Sequence, residues 1–215
     1  MKFSIGVIRV LTTADSHDLN IHGDILKKYF PCFDVESRCI QDQPAGIHDE
    51  QTKRISVPKI IELAKQFAHK DSIIVSCAED PGVEELKKIY TMPVIGVGNA
   101  VSLLSSPKKN KVGVIGITKI PPMPYVENMG DSMIDLGIPE NVLSTLDLAT
   151  EKGRKGCIKK AKELKAAGAQ IIAPACTGFS TVGLASELES LLGIPVLDPI
   201  ICAGTIAYFE LVRKL

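Results

Sequence analysis

The sequence contains no tryptophan, and aromatic residues make up only 5% of its 215 residues. It also has no excess charge of either sign, because 25 Lys and Arg residues balance 25 Asp and Glu residues. A nucleic-acid-binding protein normally has a basic surface, so we expect no nucleic-acid partner. The one basic cluster, Lys108, Lys109 and Lys111, is in a turn-like segment and is predicted to be solvated surface.

A hydrophobic run long enough to cross a bilayer, about 18 residues or more, is also missing from the sequence. Residues 1–10 are largely apolar, but Arg9 interrupts them and no small-residue cleavage site follows. This segment therefore predicts a β-strand rather than a signal peptide. We expect a cytoplasmic protein with no membrane partner.

Cysteine pairs of the Cys-x-x-Cys type are absent too, and the four histidines are scattered. Six cysteines in a chain of this length, with no secretion signal, predict free thiols rather than a disulfide framework. The sequence therefore predicts neither a metal site nor a dithiol redox centre. Cys32, Cys39, Cys157 and Cys202 have no counterparts in the internal repeat described below, and we expect them to be core or surface residues.

Short apolar runs alternate with amphipathic stretches along the chain, which predicts an α/β fold with parallel sheets covered on both faces. Strands are predicted at residues 3–10, 33–39, 72–76, 94–97, 111–117, 170–174 and 195–197. Helices are predicted at residues 57–68, 156–167, 180–192 and 199–214. The Gly-Val-Gly-Asn-Ala segment at 96–100 lacks the third glycine of a dinucleotide-binding loop and is interpreted as a strand-to-helix turn.

Three segments of the first half recur in the same order in the second half. The pairs are residues 6–8 with 113–115, 72–77 with 171–176, and 92–96 with 194–198. Because their spacings differ only by loop-sized amounts, they indicate a duplicated lobe. The sequence thus predicts two pseudo-symmetric Rossmann-like lobes, residues 1–98 with 199–215 and residues 99–198. The strand carboxyl ends of both lobes should face a shared cleft, where α/β proteins bind ligands.

Cys77 and Cys176 have matching positions in this repeat, each directly after an apolar strand. After Cys77, Asp80 is predicted to cap a helix that begins at the next residue, a proline. After Cys176, Thr177 or Ser180 is the predicted cap. Both thiols should then lie near the positive end of a helix, which lowers a thiol pKa from its usual value of about 8.5.

Two thiols on opposite walls of one cleft suit inversion of configuration at a carbon acid. One cysteine, as thiolate, removes a proton from one face of the carbon, and the other, as thiol, delivers a proton to the opposite face. The resulting carbanion needs donors that hold its carboxylate or carbonyl group. We expect these donors to be the backbone N–H groups of Ala78, Glu79, Thr177 and Gly178 and the hydroxyls of Ser76 and Thr118.

In these motifs the chain resembles the aspartate/glutamate/hydantoin racemase superfamily, most closely its hydantoin racemase branch. The most specific match is the Cys-Ala-Glu-Asp-Pro-Gly motif that begins at Cys77. The second is Ala-Cys-Thr-Gly, which begins at Ala175 and is followed by the Leu-Gly-Ile-Pro-Val-Leu-Asp segment at 192–198. Thr118, at the end of the strand that opens the second lobe, is similar to a substrate-side threonine of the family.

The resemblance implies an isomerase that racemises or epimerises a small amino acid, a hydantoin or a related derivative. It implies that Cys77 and Cys176 act as a thiol/thiolate pair without pyridoxal phosphate, a metal or another cofactor. Thr12 and Ala175 join the substrate-binding positions by the same resemblance. The implied partners are a small-molecule substrate and further copies of the chain in a homo-oligomer.

The first strand departs from the family pattern. The hydantoin branch typically has Asn-Pro-Asn-Thr where this chain has Arg-Val-Leu-Thr at 9–12, so that only Thr12 matches. Two interpretations of Arg9 stay open: it binds an anionic group of the substrate, or it faces solvent at the strand end. Glu79, beside Cys77, would raise the pKa of this thiol if its carboxylate points into the cleft.

Other functions remain possible for two cysteines in a cleft. A related two-cysteine protein is a maleate cis–trans isomerase, in which one cysteine attacks a double bond. A related decarboxylase keeps only one of the cysteines, so the presence of both here argues against that reaction. A non-catalytic small-molecule binding module would use neither thiol, and replacing either by alanine would leave its ligand affinity nearly unchanged.

Overall fold

Strands and helices alternate through the computed structural model, which describes residues 2–105 and 111–214. The strands in these residues are β1 Phe3–Arg9, β2 Phe33–Cys39, β3 Ser72–Ser76, β4 Val94–Gly96, β5 Val112–Gly116, β6 Met133–Asp135 and β7 Ile171–Ala175. The α-helices are α1 Ser16–Tyr29, α2 Glu50–Ala64, α3 Val83–Ile89, α4 Val97–Ser105, α5 Met123–Met129, α6 Glu151–Ala166, α7 Gly178–Thr181, α8 Leu184–Leu192 and α9 Pro199–Val212. The α/β fold class predicted from the sequence is confirmed.

The strands form two separate parallel sheets, one in each half of the chain. The first has the order β2-β1-β3-β4 and the second the order β6-β5-β7. In the first sheet Arg9 pairs with Ser76, and in the second Gly116 pairs with Ala175. These neighbouring strands therefore terminate at the same height in each sheet. The loops that follow them lie along one edge of the sheet.

An apolar core joins the two sheets. One continuous cluster of buried side chains contains residues of β1 and β3, of β5 and β7, and of α4 and α9. Helix α9 packs against α1, α4 and β3. The division between residues 98 and 99 stays a prediction, because α4 contacts both halves. Lys108 and Lys109 of the basic cluster lie outside the described residues.

Helix α2 begins at Glu50, well before the start predicted at Val57. A capping box explains the earlier start. The Asp49 carboxylate accepts the Thr52 N–H at 2.7 Å, and the Thr52 hydroxyl accepts the Asp49 N–H at 3.1 Å. The helix ends at Ala64, where a 3₁₀ turn, Lys65–Phe67, continues toward the predicted end.

The second half also differs from the prediction at residues 180–197. The predicted helix at 180–192 is interrupted at Gly183, whose φ of +65° separates α7 from α8. The predicted strand at 195–197 is reduced to a single bridge between Ile172 and Val196. Helices α1 and α5 and strand β6 were not predicted. No helix in residues 2–105 or 111–214 has both the length and the apolar character that a membrane span requires.

The turn after β3 packs against the start of α4. The Asp80 carboxylate accepts the backbone N–H groups of Gly98 and Asn99, each at 2.7 Å. The prediction that Asp80 caps the helix following it was wrong, because α3 begins at Val83 after Gly82 and has no side-chain cap. Asp80 instead caps α4, a helix that is remote in sequence.

The glycines at 96 and 98 are required by this close approach. A Cβ on Gly98 would lie 2.0 Å from the Ala78 carbonyl oxygen, and one on Gly96 would lie 2.3 Å from the Asp80 carboxylate. The segment is a strand-to-helix turn, as interpreted from the sequence. Its glycines allow the backbone of the turn after β3 to contact that of α4.

We expect Gly98→Ala to lower the free energy of unfolding by about 1–3 kcal/mol, the usual cost of overpacking. The added methyl group meets a backbone carbonyl, which yields only if the whole turn moves. Urea denaturation followed by circular dichroism measures the effect. Leu103→Ala, at an exposed position of the same helix, is the matched control and should change stability by about 0.5 kcal/mol or less. Equal stability of Gly98→Ala and the wild type would contradict the close approach.

Candidate active site

Cys77 and Cys176 lie in turns that are built alike. Cys77 follows the last residue of β3, and Cys176 follows the last residue of β7. In each turn the backbone N–H two residues further on donates to the cysteine sulfur, from Glu79 to Cys77 and, at 3.4 Å, from Gly178 to Cys176. The repeat seen in the sequence thus extends to the immediate surroundings of both thiols.

One cleft contains both cysteines. The first half contributes residues 10–11, 46–47 and 76–79 to its lining, and the second half contributes 117–118, 145 and 175–177. The lining includes eight of the ten predicted site residues: Ser76, Cys77, Ala78, Glu79, Thr118, Ala175, Cys176 and Thr177. Turns distant in sequence are therefore brought together where the sequence predicts a shared cleft.

The other two predicted residues, Thr12 and Gly178, lie beside the cleft rather than in its lining. The Thr12 hydroxyl donates to the Ile40 carbonyl at 2.8 Å and accepts the Gln43 N–H at 2.7 Å. It thereby ties the loop after β1 to the loop after β2. Gly178 packs so closely that a Cβ would lie 2.5 Å from the Thr145 hydroxyl. Both residues support the walls of the cleft.

Arg9 takes neither of the two roles considered for it. Its side chain is buried, and its guanidinium donates to the carbonyl oxygens of Asp18 and Leu19 in α1. Burial lowers the pKa of Arg9 to about 10. The guanidinium therefore ties β1 to α1 and faces neither solvent nor the cleft.

A family model confirms the resemblance that the cysteine motifs indicate. The model of the family described as Asp/Glu/Hydantoin racemase matches residues 31–207. The chain belongs to this family. Membership confirms the expected class of isomerase, a racemase, and implies a small-molecule substrate.

Individual relatives agree with the family assignment. The chain is 25% identical to the hydantoin racemase of Paenarthrobacter aurescens over 173 residues, which cover 75% of this chain and 70% of the relative. The structure is similar to allantoin racemase from Klebsiella pneumoniae, with a TM-score of 0.82, 18% identity, and coverage of 100% of this chain and 89% of that one. It is also similar to allantoin racemase from Pseudomonas fluorescens, with a TM-score of 0.74, 18% identity, and coverage of 98% and 91%. These likenesses support the two-lobed racemase fold.

The thiols of this racemase-family chain are harder to ionise than the sequence suggested. Burial raises the pKa of Cys77, and the negative charge of Glu79 raises it further. Burial raises the pKa of Cys176 as well. The predicted helix N-terminus is not beside Cys77, since α3 begins only at Val83. The expectation of lowered thiol pKa values was therefore wrong.

Thr145 lines the cleft and was not predicted. It begins a 3₁₀ helix, Thr145–Ala149, and its hydroxyl lies 3.4 Å from the Cys176 sulfur. This hydrogen bond lowers the pKa of Cys176 and so opposes the effect of burial. Sequence reasoning missed Thr145 because it lies in a loop between predicted elements and matches nothing in the first half of the repeat.

Glu79 is the one charged side chain among the described residues that line the cleft. Lys53, on α2, lies 3.0 Å from its carboxylate, and both side chains are largely buried. The ion pair partly offsets the negative charge of the carboxylate at the wall. In residues 2–105 and 111–214, no three or more His, Cys, Asp or Glu side chains are grouped so that they could hold a metal ion.

The hydroxyls predicted to hold the substrate, those of Thr118 and Ser76, already form hydrogen bonds within the protein. Thr118 donates its proton to the Ile120 carbonyl at 2.9 Å, so its oxygen can only accept a hydrogen bond from a ligand. The Ser76 hydroxyl lies 2.7 Å from a nitrogen of His22. Thr118 is therefore suited to an N–H group of a substrate rather than to a carbonyl oxygen.

The pKa of Asp80 predicts a pH-dependent contribution to stability. Burial raises the pKa of Asp80 to about 7, although its two N–H partners in α4 act against the rise. Since the carboxyl group in an unfolded chain titrates near pH 3.9, the folded state retains a proton over an interval in which the unfolded state has lost it. The stabilisation is complete below about pH 4 and is lost as the pH rises through about 7.

We expect Asp80→Asn to remove this dependence, because the amide still accepts a hydrogen bond but does not titrate. Urea denaturation between pH 4.5 and 8 measures it. The wild type should lose stability relative to the variant as the pH rises across this range. Parallel curves for the two proteins would show that the Asp80 pKa is not raised by folding.

Proposed function

We propose that the chain is a cofactor-independent racemase or epimerase in which Cys77 and Cys176 form the acid–base pair. The observation that carries the proposal is that both thiols, from matching turns of the two halves, line one cleft. A negative charge on Cys176 contributes to the raised pKa of Cys77, so ionisation of one thiol opposes ionisation of the other. Stereoinversion needs such a pair, with one group acting on each face of the carbon.

In the proposed reaction, the thiolate of one cysteine takes the hydrogen of the stereogenic carbon as a proton. The electron pair of the broken C–H bond passes to the adjacent carbonyl group, which becomes an enolate. The thiol of the other cysteine donates its proton to the opposite face of the carbon and becomes the thiolate. We propose that the N–H groups of Ala78 and Thr177 hold the enolate oxygen, because those of Glu79 and Gly178 already donate to the sulfurs.

We propose a neutral cyclic amide of the hydantoin type as the substrate. No described residue in the cleft lining carries a cationic side chain, so the carboxylate of a free amino acid has no counter-charge there. A hydantoin ring is neutral and offers N–H donors to Glu79 and Thr118 and carbonyl oxygens to the backbone N–H groups. The names of the relatives, hydantoin racemase and allantoin racemase, support this class.

We expect Cys77→Ala and Cys176→Ala each to lower racemisation by about 10²–10⁴-fold, the usual contribution of a positioned acid or base. Each variant keeps one thiol, so it should exchange the hydrogen of one enantiomer with D₂O without inverting it. The measurement is NMR of deuterium incorporation together with polarimetry, on a panel of 5-substituted hydantoins and amino acids. Cys157→Ala, in the core of the second half, is the matched control and should retain activity.

Two results would contradict the proposal. One is racemisation at the wild-type rate by the Cys77→Ala/Cys176→Ala double variant. The other is turnover of maleate with no hydrogen exchange at any saturated carbon, which would indicate cis–trans isomerisation instead.

We expect Thr145→Val to move the acidic limb of the pH–rate profile to higher pH in the direction that uses Cys176 as base. The loss of the hydroxyl removes a hydrogen bond to the thiolate, so the pKa of Cys176 rises and less thiolate is present at a given pH. Initial rates for each enantiomer between pH 6 and 10 measure the shift. Thr145→Ser keeps the hydroxyl and should restore the wild-type profile. A profile that Thr145→Val leaves unchanged would exclude this role.

A further inference from the structure

The turn after β3, which contains Cys77, and the turn after β7, which contains Cys176, are called the two cysteine turns here. His22 lies between them and takes part in no step proposed above. It belongs to α1 and is fully buried. Its Nδ1 lies 2.7 Å from the Ser76 hydroxyl, and its Nε2 lies 2.9 Å from the Thr181 hydroxyl. One imidazole ring therefore bridges an element of the first half and an element of the second.

Both ends of this bridge are attached to a cysteine turn. Ser76 is the last residue of β3 and the immediate neighbour of Cys77. Thr181 is the last residue of α7, which begins just after Cys176. The N–H and the hydroxyl of Thr181 both donate to the Thr177 carbonyl, at 3.3 and 3.5 Å. Movement of either turn therefore strains a bond to the same ring.

The charge state of His22 suits a bridge. Burial, together with the positive charge of Arg9, lowers the pKa of His22 well below its usual value, so the ring is neutral. A neutral imidazole has one donor and one acceptor nitrogen, and a hydroxyl can take either part. Because the Thr181 hydroxyl donates to the Thr177 carbonyl, it accepts the Nε2–H of His22, and Nδ1 then accepts the proton of the Ser76 hydroxyl.

The helix that carries His22 is held firmly on the first sheet. A Cβ on Gly23 would lie 2.7 Å from the Ser37 hydroxyl of β2, so α1 packs directly on that strand. Arg9, at the end of β1, donates to the carbonyls of Asp18 and Leu19 in α1. His22 thus extends from a fixed base toward the second half.

From this geometry we infer that His22 is a positioning residue: through Ser76 and Thr181 it sets the separation of the two cysteine turns. The inference rests on the proposed two-thiol mechanism. One thiolate can remove a proton without its partner, but inversion needs the second thiol at the correct distance on the opposite face. Loss of the bridge should therefore impair proton delivery more than proton removal.

Thr181→Val tests this inference with a nearly isosteric change that removes the hydroxyl bound to Nε2 and leaves the bond to Ser76 in place. His22→Asn is the second variant, since the shorter amide reaches Ser76 but not Thr181. Thr205→Val, on the exposed side of α9, is the matched control. Thr181→Val should have no further effect in the His22→Asn background, because the same bond is already absent.

The first readout compares exchange with inversion in D₂O. In the wild type, rapid delivery from the opposite thiol places deuterium in the inverted product and leaves the starting enantiomer unlabelled. In both variants we expect racemisation to fall by about 10- to 100-fold, while deuterium accumulates in the starting enantiomer. A merely destabilised protein would lose exchange and inversion in proportion.

The second readout does not depend on activity. Iodoacetamide labelling of each cysteine, followed by peptide mass spectrometry, reports how open the cleft is. We expect labelling of Cys77 and Cys176 to become severalfold faster in both variants. Cys157 is fully buried, so its labelling reports global unfolding and should not change.

The outcomes separate this inference from the proposed function. If the wild type racemises but the variants keep its ratio of exchange to inversion and its labelling rates, the role of His22 is overturned and the mechanism stands. If the wild type neither exchanges nor racemises any substrate of the panel, the proposed function fails. In that case the labelling rates of the variants decide whether His22 holds the two turns. Rates equal to those of the wild type overturn the inference about His22.

Discussion

Two thiols held in a largely buried cleft, where the ionised form of each is disfavoured, are the constraint around which the site is arranged. Burial raises the pKa of Cys77 and of Cys176, and one backbone N–H at each sulfur only partly offsets this. A thiolate with a raised pKa is a stronger base than an exposed one. In the proposed mechanism this is an advantage, since a hydrogen on carbon is a weak acid.

The fold holds these two thiols by different means. The turn at Cys77 is locked by Asp80, which binds two N–H groups of α4, and by the contact between the Ala78 carbonyl and Gly98. The turn at Cys176 is held by the close packing of Gly178 on Thr145. The two turns are therefore alike in backbone geometry but are supported by unrelated neighbours, as expected for a duplicated lobe whose loops have diverged.

Features set by local pattern could be predicted from the sequence, and features set by distant contacts could not. Continuous apolar runs predicted the buried strands β3 and β7, and the repeat placed Cys77 and Cys176 at corresponding strand ends. The partner of Asp80 was missed because a capping residue is normally matched to the helix that follows it, whereas α4 starts far along the chain. His22 gave no periodic or motif signal, because it acquires its role only when the halves pack together. Thr145 gave none either, because it meets Cys176 only when a distant loop of the second half folds against that cysteine.

The difference between the two turns makes the two thiols unequal, and this inequality affects how the proposed racemase treats its two enantiomers. The Glu79 carboxylate raises the pKa of Cys77, whereas the Thr145 hydroxyl lowers that of Cys176. In the proposed mechanism these two side chains favour Cys176 as the thiolate. The resting enzyme of the proposed mechanism is then in the protonation state that deprotonates the enantiomer whose hydrogen faces Cys176. Two enantiomers have equal free energies in water, so kcat/KM must be the same in both directions for a racemase. The unequal thiols can therefore appear only as compensating differences in kcat and KM, with the enantiomer deprotonated by Cys77 reacting through the less populated protonation state.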